Sequence, residues 1–534
     1  MKTPYKDQSR LPATAFQVFE TVIRDSETKT DSGMRLAGLL EGMAIVDLGG
    51  DTELEIAGIA YDSRAVKPGY LFVALKGHNA DGHDFIGDAL RRGAVALVAE
   101  HLEGIDTKAT VVLVEDSREA LSRLAVNFYD QPFKGMSLIG ITGTNGKTST
   151  SYLLESILLA AGVEPGIIGT VNYRIPGKSW KAPVTTPESL DLMKTLRKMA
   201  DAGVTHVVME VSSHALDQGR AKDCPFEGAI FTNISRDHLD YHHSMDSYFQ
   251  TKSLLFRSSE LSGSTHLNWA VINADDPKGK ELIDLTEARV VTYGLGRDSD
   301  IRAERIRVNR AGLTAKVITP TGETKVKSAL IGDFNAYNIL AASAAAFCLG
   351  FDLNVISTGI SLLKGVPGRL EMVKNRRSLM IVVDYAHTPD ALLKAISAVK
   401  PLTAGRLITV FGCGGDRDKG KRHEMGRVAG KRSDLVFVTS DNPRTEDPAA
   451  IAAQIEKGVL ASGLKRLEIN SNRHLAGSGY FLDLDRAQAI RRAIELADKN
   501  DLILIAGKGH EDYQIVGGEK RHFDDREVAA EAAS

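Results

Sequence analysis

Residues 140–150 read GITGTNGKTST. The apolar run MSLIGIT (136–142) leads into them, and a helical pattern from about Thr148 to Ala161, closed by Gly162, follows. A buried strand, a glycine turn and a helix start in that order make a cradle for phosphate. The glycines let backbone N–H groups close on the oxygens, and the helix N-terminus adds partial positive charge. The usual spelling, G-x-x-x-x-G-K-[ST], is met at Gly146, Lys147 and Thr148 but fails at its start. Ile141 stands five residues before Gly146, and the glycine of the tight turn, Gly143, is only three back. Lys147 can reach terminal phosphates, and the Thr148 hydroxyl can ligate Mg2+. The alternative is a chance glycine turn, which would not require the strand, lysine, threonine and helix together.

Outward from the loop, the strand runs THVVMEVS, GAIFTNIS, WAVINAD and RVVTYG alternate with helical segments. That spacing predicts a mostly parallel sheet in an α/β fold. Before it, about residues 34–130 carry strands such as LFVALKG and VALVAE, with DFIGDALRRGA as a helix between them. Residues 300–330 alternate like an antiparallel ribbon turning at PTGE, and NAYNILAASAAAFCLG reads as a helix ended by glycine. GVPGR (365–369) is a linker at which domains could hinge. Beyond it LMIVVDY, RLITVFG, DLVFVTS and DLILIAG predict a second doubly wound α/β domain. The expected division is 1–33, a polar extension; 34–130; 131–365; and 366–534.

Composition excludes several classes. A net charge of −3 leaves no bulk basic surface for nucleic acid or an anionic membrane. The longest apolar runs are too short to span a bilayer. Three scattered cysteines, Cys224, Cys348 and Cys413, form no zinc spacing and fit a reducing compartment. A cytoplasmic protein is expected, probed by neither nucleic acid nor membrane, and a monomer.

Other polar residues need to say what the phosphate chemistry drives. Glu210 in MEVSSHALDQGR falls near the end of a strand, and His238 in TNISRDHLDYHH follows the next one; together they could hold a divalent cation. Read singly, Glu210 would be a solvated rim charge, and His238 with His242 a helix-surface pair. HLDYH lacks the glutamate of a zinc protease. FGCGGDRDKGKR is no dinucleotide loop, because Arg417 stands where a third glycine is required. Its Asp416, Arg417, Asp418 and Lys419 could meet a zwitterionic ligand or form a solvated turn.

Ten motifs then occur in order: GTNGKT, EVSSHAL, TNISRDHLDYH, NADDP, GDFNAYN, VPGRLE, DYAHTPD, GGDRDKGKR, DNPR and GKGHE. Together they resemble the Mur ligases, ATP-dependent amide-forming enzymes of peptidoglycan precursor synthesis, over roughly residues 35–530. The short-spaced loop is that family's own form. The resemblance implies three domains: a UDP-binding N-terminal domain, a central P-loop-type ATPase domain and a C-terminal Rossmann-like domain that binds the amino acid. It implies ATP-driven formation of an acyl phosphate on the γ-carboxylate of D-glutamate in UDP-muramoyl-dipeptide, captured by an amine.

Residue by residue, the resemblance assigns the UDP-muramoyl-dipeptide to Ser63, His78, Asn79, Ala80, Thr185, Thr186, Ser212, Gln218 and Arg220. Val184 replaces an asparagine found before the two threonines in some relatives. ATP falls to Gly143, Thr144, Asn145, Gly146, Lys147, Thr148 and Ser149, with Asn273, Asp276, Asn335 and Arg369 around it. Lys147, Glu210, His238 and Lys252 would be catalytic. Thr148, Glu210, His238 and Lys252, the last as a carbamate, would hold two Mg2+ ions. A helix-surface lysine is the ordinary reading of Lys252, and only its place in YFQTKSLLF overrides it. DNPR implies meso-diaminopimelate as the added residue. Arg444 would pair with its distal carboxylate and Asp441 and Asn442 with its ammonium, and Pro443, Arg417, Gly507 and Glu511 would complete the pocket. An Asx-Pro turn is the plainer reading of the same stretch. Alternatives are the same ligation with L-lysine, a folylpolyglutamate synthetase, or a non-catalytic nucleotide-regulated cell-wall scaffold.

Overall fold

The computed structural model describes residues 33–534 except 78, 79, 103, 105, 258–266 and 469–476. The polar stretch 1–32 and the candidates His78 and Asn79 therefore lie outside the described residues. One compact unit takes in the chain up to Ser151 together with Ala161–Thr292. A second takes in Tyr152–Ala160 and Tyr293–Ser534.

Among its described residues the first unit contains two larger sheets besides the short antiparallel pair Met34–Arg35 and Glu55–Ile56. Strands β1 (Asp47–Gly49), β2 (Gly58–Ala60), β3 (Tyr70–Val73), β4 (Ala94–Ala99) and β5 (Thr110–Leu113) lie in the order β1-β5-β4-β3-β2. Helix α1 (Ile86–Arg91) precedes β4, and α2 (Ser117–Phe128) follows β5 behind an Asp116 cap. The larger sheet is built around β6 (Ser137–Thr142), β10 (His206–Glu210) and β11 (Phe226–Phe231). β6 pairs in parallel with both neighbours, so that Glu210 stands beside Ile141 and Phe231 beside Thr142. These strands are apolar and buried almost throughout, as expected when helices cover both faces. β7 (Gly166–Ile168), β8 (Asn172–Ile175) and β9 (Lys178–Lys181) extend the sheet beyond β10, the latter two antiparallel; β12 (Trp269–Asn273) and β13 (Arg289–Gly294) extend it beyond β11. The connecting helices are α3 (Lys147–Ala160), of which only Lys147–Ser151 belongs to this unit, α4 (Ser189–Asp201), α5 (Ser213–Asp217), α6 (Leu239–His242), α7 (Met245–Ser253) and α8 (Pro277–Leu285).

The second unit starts within β13 and continues as the antiparallel ribbon β14 (Ile301–Asn309), β15 (Gly312–Thr319) and β16 (Gly322–Ser328). Helices α9 (Asn335–Cys348) and α10 (Leu353–Leu362) follow. The rest is a six-stranded sheet in the order β17-β18-β22-β19-β20-β21, formed by β17 (Glu371–Met372), β18 (Met380–Asp384), β19 (Leu407–Phe411), β20 (Leu435–Val438), β21 (Gly479–Leu482) and β22 (Leu502–Ala506). All its pairings are parallel except that of the short β17. α11 (Pro389–Val399), α12 (Gly420–Arg432), α13 (Pro448–Ala461), α14 (Arg486–Leu496) and α15 (Asp525–Ala532) cover it, with the hairpin β23 (Tyr513–Val516) and β24 (Glu519–His522) before α15. Proline at the first position, behind a Thr388 or Asp447 side-chain cap, starts α11 and α13.

Arg486 and Asp525 are both fully buried and form a two-pronged ion pair, with Nε and Nη2 each 2.7 Å from a carboxylate oxygen. Arg486 Nη2 also donates to the Ala506 carbonyl and Nη1 to that of Ser440, tying the ends of two strands together. Arg486→Met leaves the Asp525 charge buried without its partner. Denaturant unfolding should show a loss of about 3–5 kcal/mol, and the Arg486→Met/Asp525→Leu double variant should recover most of it. A loss below ~1 kcal/mol would contradict this role for the pair.

Candidate active site

The phosphate loop is held from one side. Gly143 has φ +141°, and a Cβ there would lie 2.0 Å from Thr232 Oγ1 and 2.9 Å from the Asn233 carbonyl. The reason is the TNIS turn that follows β11. Thr144 N donates to Asn233 O (2.8 Å), Asn145 N to Asn233 Oδ1 (3.0 Å), and Asn233 Nδ2 and Thr232 Oγ1 both donate to Asn145 O (3.0 and 2.6 Å). The first turn of α3, at Lys147, Thr148 and Ser149, keeps amides that have no acceptor within the helix. Asn233 was not among the candidate residues, although it sits inside a motif that was; strand-end turns do not announce in sequence which loop they brace.

Lys147 Nζ donates to the carbonyls of Gly143 (2.7 Å) and Thr144 (3.0 Å). Lys252 Nζ donates to the same Gly143 oxygen at 3.0 Å. Lys252 is buried against the Tyr248 ring, 4.6 Å from its centroid, so the helix-surface reading does not hold. Burial, and then the neighbouring Lys147 charge, hold its amine well below the usual lysine range.

Glu210 is likewise no rim charge. It is 1% exposed, and its carboxylate accepts from Thr148 Oγ1 (2.9 Å), Thr170 N (3.0 Å) and Thr170 Oγ1 (2.9 Å). A Cβ on Gly169 would approach Glu210 Oε1 to 2.5 Å, so the chain closes tightly over the acid. His238 precedes α6 with φ +53° and stacks edge-on to His214 at 4.9 Å. His242 is buried and bonds Ser213 Oγ through Nε2 (2.9 Å), so the surface-pair reading fails for His242, whereas His238 is exposed. Burial lowers the pKa of His238 and His242, and burial followed by these two imidazoles brings His214 down to about 4.

Thr185, Thr186, Ser212, Gln218 and Arg220 come together beside Glu210. Thr186 Oγ1 donates to the Glu210 carbonyl (2.8 Å) and accepts from Ser212 N (3.1 Å); Arg220 donates to Thr186 O (3.2 Å) and to Gln218 Oε1. Thr185 Oγ1 is 3.2 Å from Thr170 Oγ1. Val184 is exposed and its carbonyl accepts from Tyr173. Ser63 is buried in a one-turn helix behind Asp62, and Ala80 is exposed. Asn273 donates to Thr232 O (2.8 Å), so it supports the brace of the loop, while Asp276 accepts from Ile234 N (2.9 Å) and caps α8. In the second unit Asn335 bonds Ile331 O and Asn338, and Arg369 lies over the Tyr385 ring at 4.8 Å.

A second polar site belongs to the second unit, in the loops after β19, β20 and β22. Asn442 has all its polar side-chain atoms engaged: Oδ1 accepts from Lys508 Nζ (3.2 Å) and Ile515 N (3.0 Å), and Nδ2 donates to Glu511 Oε2 (2.9 Å). Lys508, fully buried, donates to the same Glu511 oxygen at 3.1 Å. It was missed in the sequence, where GKGHE drew attention only to its glycine and glutamate. Arg444, at φ +53°, is fixed by backbone bonds to Ile515 and Gly517, and its Nη1 donates to Gly415 O (2.7 Å). Asp441 accepts from the Asn442 amide, and a Cβ on Gly507, at φ +117°, would come within 2.6 Å of its Oδ2. Pro443 presses its carbonyl on Gly415. Arg417 is exposed, but its stem and the Arg444 guanidinium flank the same residue, Gly414. Asp416, Asp418 and Lys419 are exposed as well, as the solvated-turn reading had it; beneath them buried Arg422 grips Glu446 through two bonds and holds that carboxyl down at about 2.

Among the described residues, one cluster of carboxylate and imidazole groups lies elsewhere, at Asp81, His83 and His101. His83 Nδ1 pairs with Asp81 (2.6 Å) and Nε2 accepts from Glu100 N (3.0 Å), so both ring nitrogens are already committed to bracing the loop.

A strand-end glycine loop with a buried carboxylate under its helix, and a doubly wound half carrying a charged pocket, define a phosphate-handling α/β enzyme of more than one domain. The comparisons specify it. Residues 55–129 match the Mur ligase family catalytic domain, 141–346 the Mur ligase middle domain and 368–509 the Mur ligase glutamate ligase domain. The chain is 48% identical over 503 residues to the UDP-N-acetylmuramoyl-L-alanyl-D-glutamate--2,6-diaminopimelate ligase of Geobacter sulfurreducens, covering 93% of this chain and 98% of that protein. A solved structure of a ligase of that name superposes with a TM-score of 0.65 at 32% identity, over 94% of this chain and 99% of the other. The fold is also shared with the MurF ligase of Thermotoga maritima in complex with ADP, at TM-score 0.58, 23% identity, 85% of this chain and 94% of that one. The chain belongs to the Mur ligase family and is an ATP-dependent, amide-bond-forming enzyme. Among the described residues no helix is long and apolar enough to cross a membrane.

Gly143→Ala places a methyl group on Thr232 at a φ that L-residues rarely adopt. ADP release should fall by about 100-fold or more, equivalent to about 3 kcal/mol of transition-state stabilisation, with the circular dichroism spectrum unchanged. Activity within about threefold of the parent would show that the loop tolerates displacement.

Proposed function

We propose that the protein joins meso-diaminopimelate to the γ-carboxylate of D-glutamate in UDP-N-acetylmuramoyl-L-alanyl-D-glutamate, consuming ATP, in peptidoglycan precursor synthesis and hence in cell-shape maintenance and division. The observation that carries the choice of amino acid is the pre-built Asp441–Arg444 loop, with its guanidinium held at one end and the Asn442–Lys508–Glu511 network at the other. One end suits a carboxylate and the other an ammonium, which is the distal zwitterion of diaminopimelate. Residues 34–130 bind the UDP end, 131–365 carry the ATPase and 366–534 the amino acid, in a cytoplasmic monomer.

In this reading Gly143–Ser149 cradle the phosphates and Lys147 leaves its two carbonyl partners for the terminal phosphoryl group. The glutamate γ-carboxylate oxygen attacks the γ-phosphorus, and the bond to ADP breaks. Thr186, Ser212 and Arg220 orient the acceptor, and Asn273 holds Thr232 under the loop. The diaminopimelate ammonium loses a proton and the free amine attacks the acyl carbon; the adduct's nitrogen gives a second proton to solvent, phosphate leaves with the C–O bonding pair, and an amide remains.

Lys252 fits a carbamate because burial favours the uncharged form of its amine, whose lone pair attacks CO2 to form an N–C bond with release of a proton. The resulting carboxylate, with the Thr148 hydroxyl, the Glu210 carboxylate and His238, makes a donor set suited to Mg2+. Bound there, two Mg2+ ions would neutralise phosphate charge.

With ATP, UDP-muramoyl-dipeptide and single amino acids, mass spectrometry should find the meso-diaminopimelate adduct. L-lysine should be used at least ~10³-fold less efficiently, because it leaves Arg444 without its carboxylate. Comparable use of L-lysine would overturn the amino-acid assignment, and turnover of a folate instead would overturn the function.

A further inference from the structure

Two carboxylates at the start of α4 are bonded from the other side of the first unit. Asp191 is half-buried and accepts from the Tyr61 hydroxyl at 2.6 Å. Glu188 caps the helix with Oε1, which accepts from Ser189 N (3.2 Å), and uses Oε2 to accept from Arg118 Nη1 at 2.8 Å. That oxygen is also 3.6 Å from Arg220 Nε, which is buried without a hydrogen bond of its own. Neither pair is loosely solvated: Arg118 and Glu188 are 23% and 12% exposed.

The places these residues occupy give the contacts meaning. Tyr61 is two residues before Ser63, and Arg118 is in α2 behind the N-terminal sheet. Glu188 and Asp191 immediately follow Thr185 and Thr186. On the reading proposed above, Ser63 belongs to the nucleotide end of the substrate and Thr185, Thr186 and Arg220 to its peptide end. The two ends are covalently linked, so once one is seated the other binds intramolecularly. The gain from that linkage depends on the protein holding its two subsites at the separation the substrate spans.

We propose that Tyr61–Asp191 and Arg118–Glu188 form a clasp that sets this separation, making the four side chains positioning residues for UDP-muramoyl-dipeptide. They need touch no part of the substrate. The clasp's effect is confined to ligands that engage both ends; a ligand that engages only the peptide end gains nothing from it.

The test compares kcat/KM for UDP-muramoyl-dipeptide and for muramoyl-dipeptide 1-phosphate, which lacks the uridine, in the full-length parent, Arg118→Met and Tyr61→Phe. Arg118→Met decides the matter alone if Tyr61→Phe, which strips the half-buried Asp191 carboxylate of its donor, fails to fold. The expected result is a fall of about tenfold with the complete substrate, carried mainly by KM, and less than about twofold with the truncated one. KM for ATP and for diaminopimelate should not move. Equal falls with both substrates, or no fall with either, would overturn the clasp while leaving the function intact. Failure of the parent itself to turn over UDP-muramoyl-dipeptide would overturn the functional reading and the clasp with it.

Discussion

Two lysine nitrogens meet at one carbonyl oxygen. Lys147 and Lys252 both donate to Gly143 O, at 2.7 and 3.0 Å. If both were ammonium ions less than about 6 Å apart, their repulsion would be on the order of 3 kcal/mol at an effective dielectric of ~20, before the cost of burying Lys252 is counted. Lys252 is the member deprived of water, and its burial together with the Lys147 charge shifts its amine toward the uncharged form. The site thus sets one lysine beside another whose amine is biased toward its uncharged form, both on one carbonyl oxygen. On the reading proposed above, that amine is the receptor for CO2, and a carbamate there would reverse the sign of the position from a potential positive charge to a negative one.

The surrounding structure keeps that arrangement rigid. TNIS fixes the loop carbonyls from one side, and Glu210 is pinned by Thr148 and Thr170 on the other. In the second unit the same economy appears in the Asn442–Lys508–Glu511 network, where a buried cation is matched by one carboxylate and one amide oxygen. Several of these contacts join distant parts of the sequence: Lys252 to Gly143, Glu210 to Thr148 and Thr170, and Lys508 to Asn442.

That distance explains what the sequence could and could not reveal. The strands around the phosphate loop and the four strong strands of the last domain are legible because buried parallel strands are long apolar runs with little ambiguity. The loop, Glu210, Lys252 and the DNPR stretch are legible through ordered motifs. Asn233, Thr170 and Lys508 are not, since their importance lies in hydrogen bonds to residues 40 or more positions away or to neighbours whose orientation only the fold decides. The surface readings of Glu210, His242 and Lys252 failed for the same reason: burial of a lone polar side chain depends on what packs over it, and α6 and the Gly169 turn are too short to carry an amphipathic signature.

Carbon-13 NMR of the protein equilibrated with 13C-labelled bicarbonate addresses the central claim directly. The account predicts one slowly exchanging carbamate carbon resonance in the parent protein that is missing from Lys252→Ala. A parent spectrum with no such resonance, or one that Lys252→Ala retains, would contradict it.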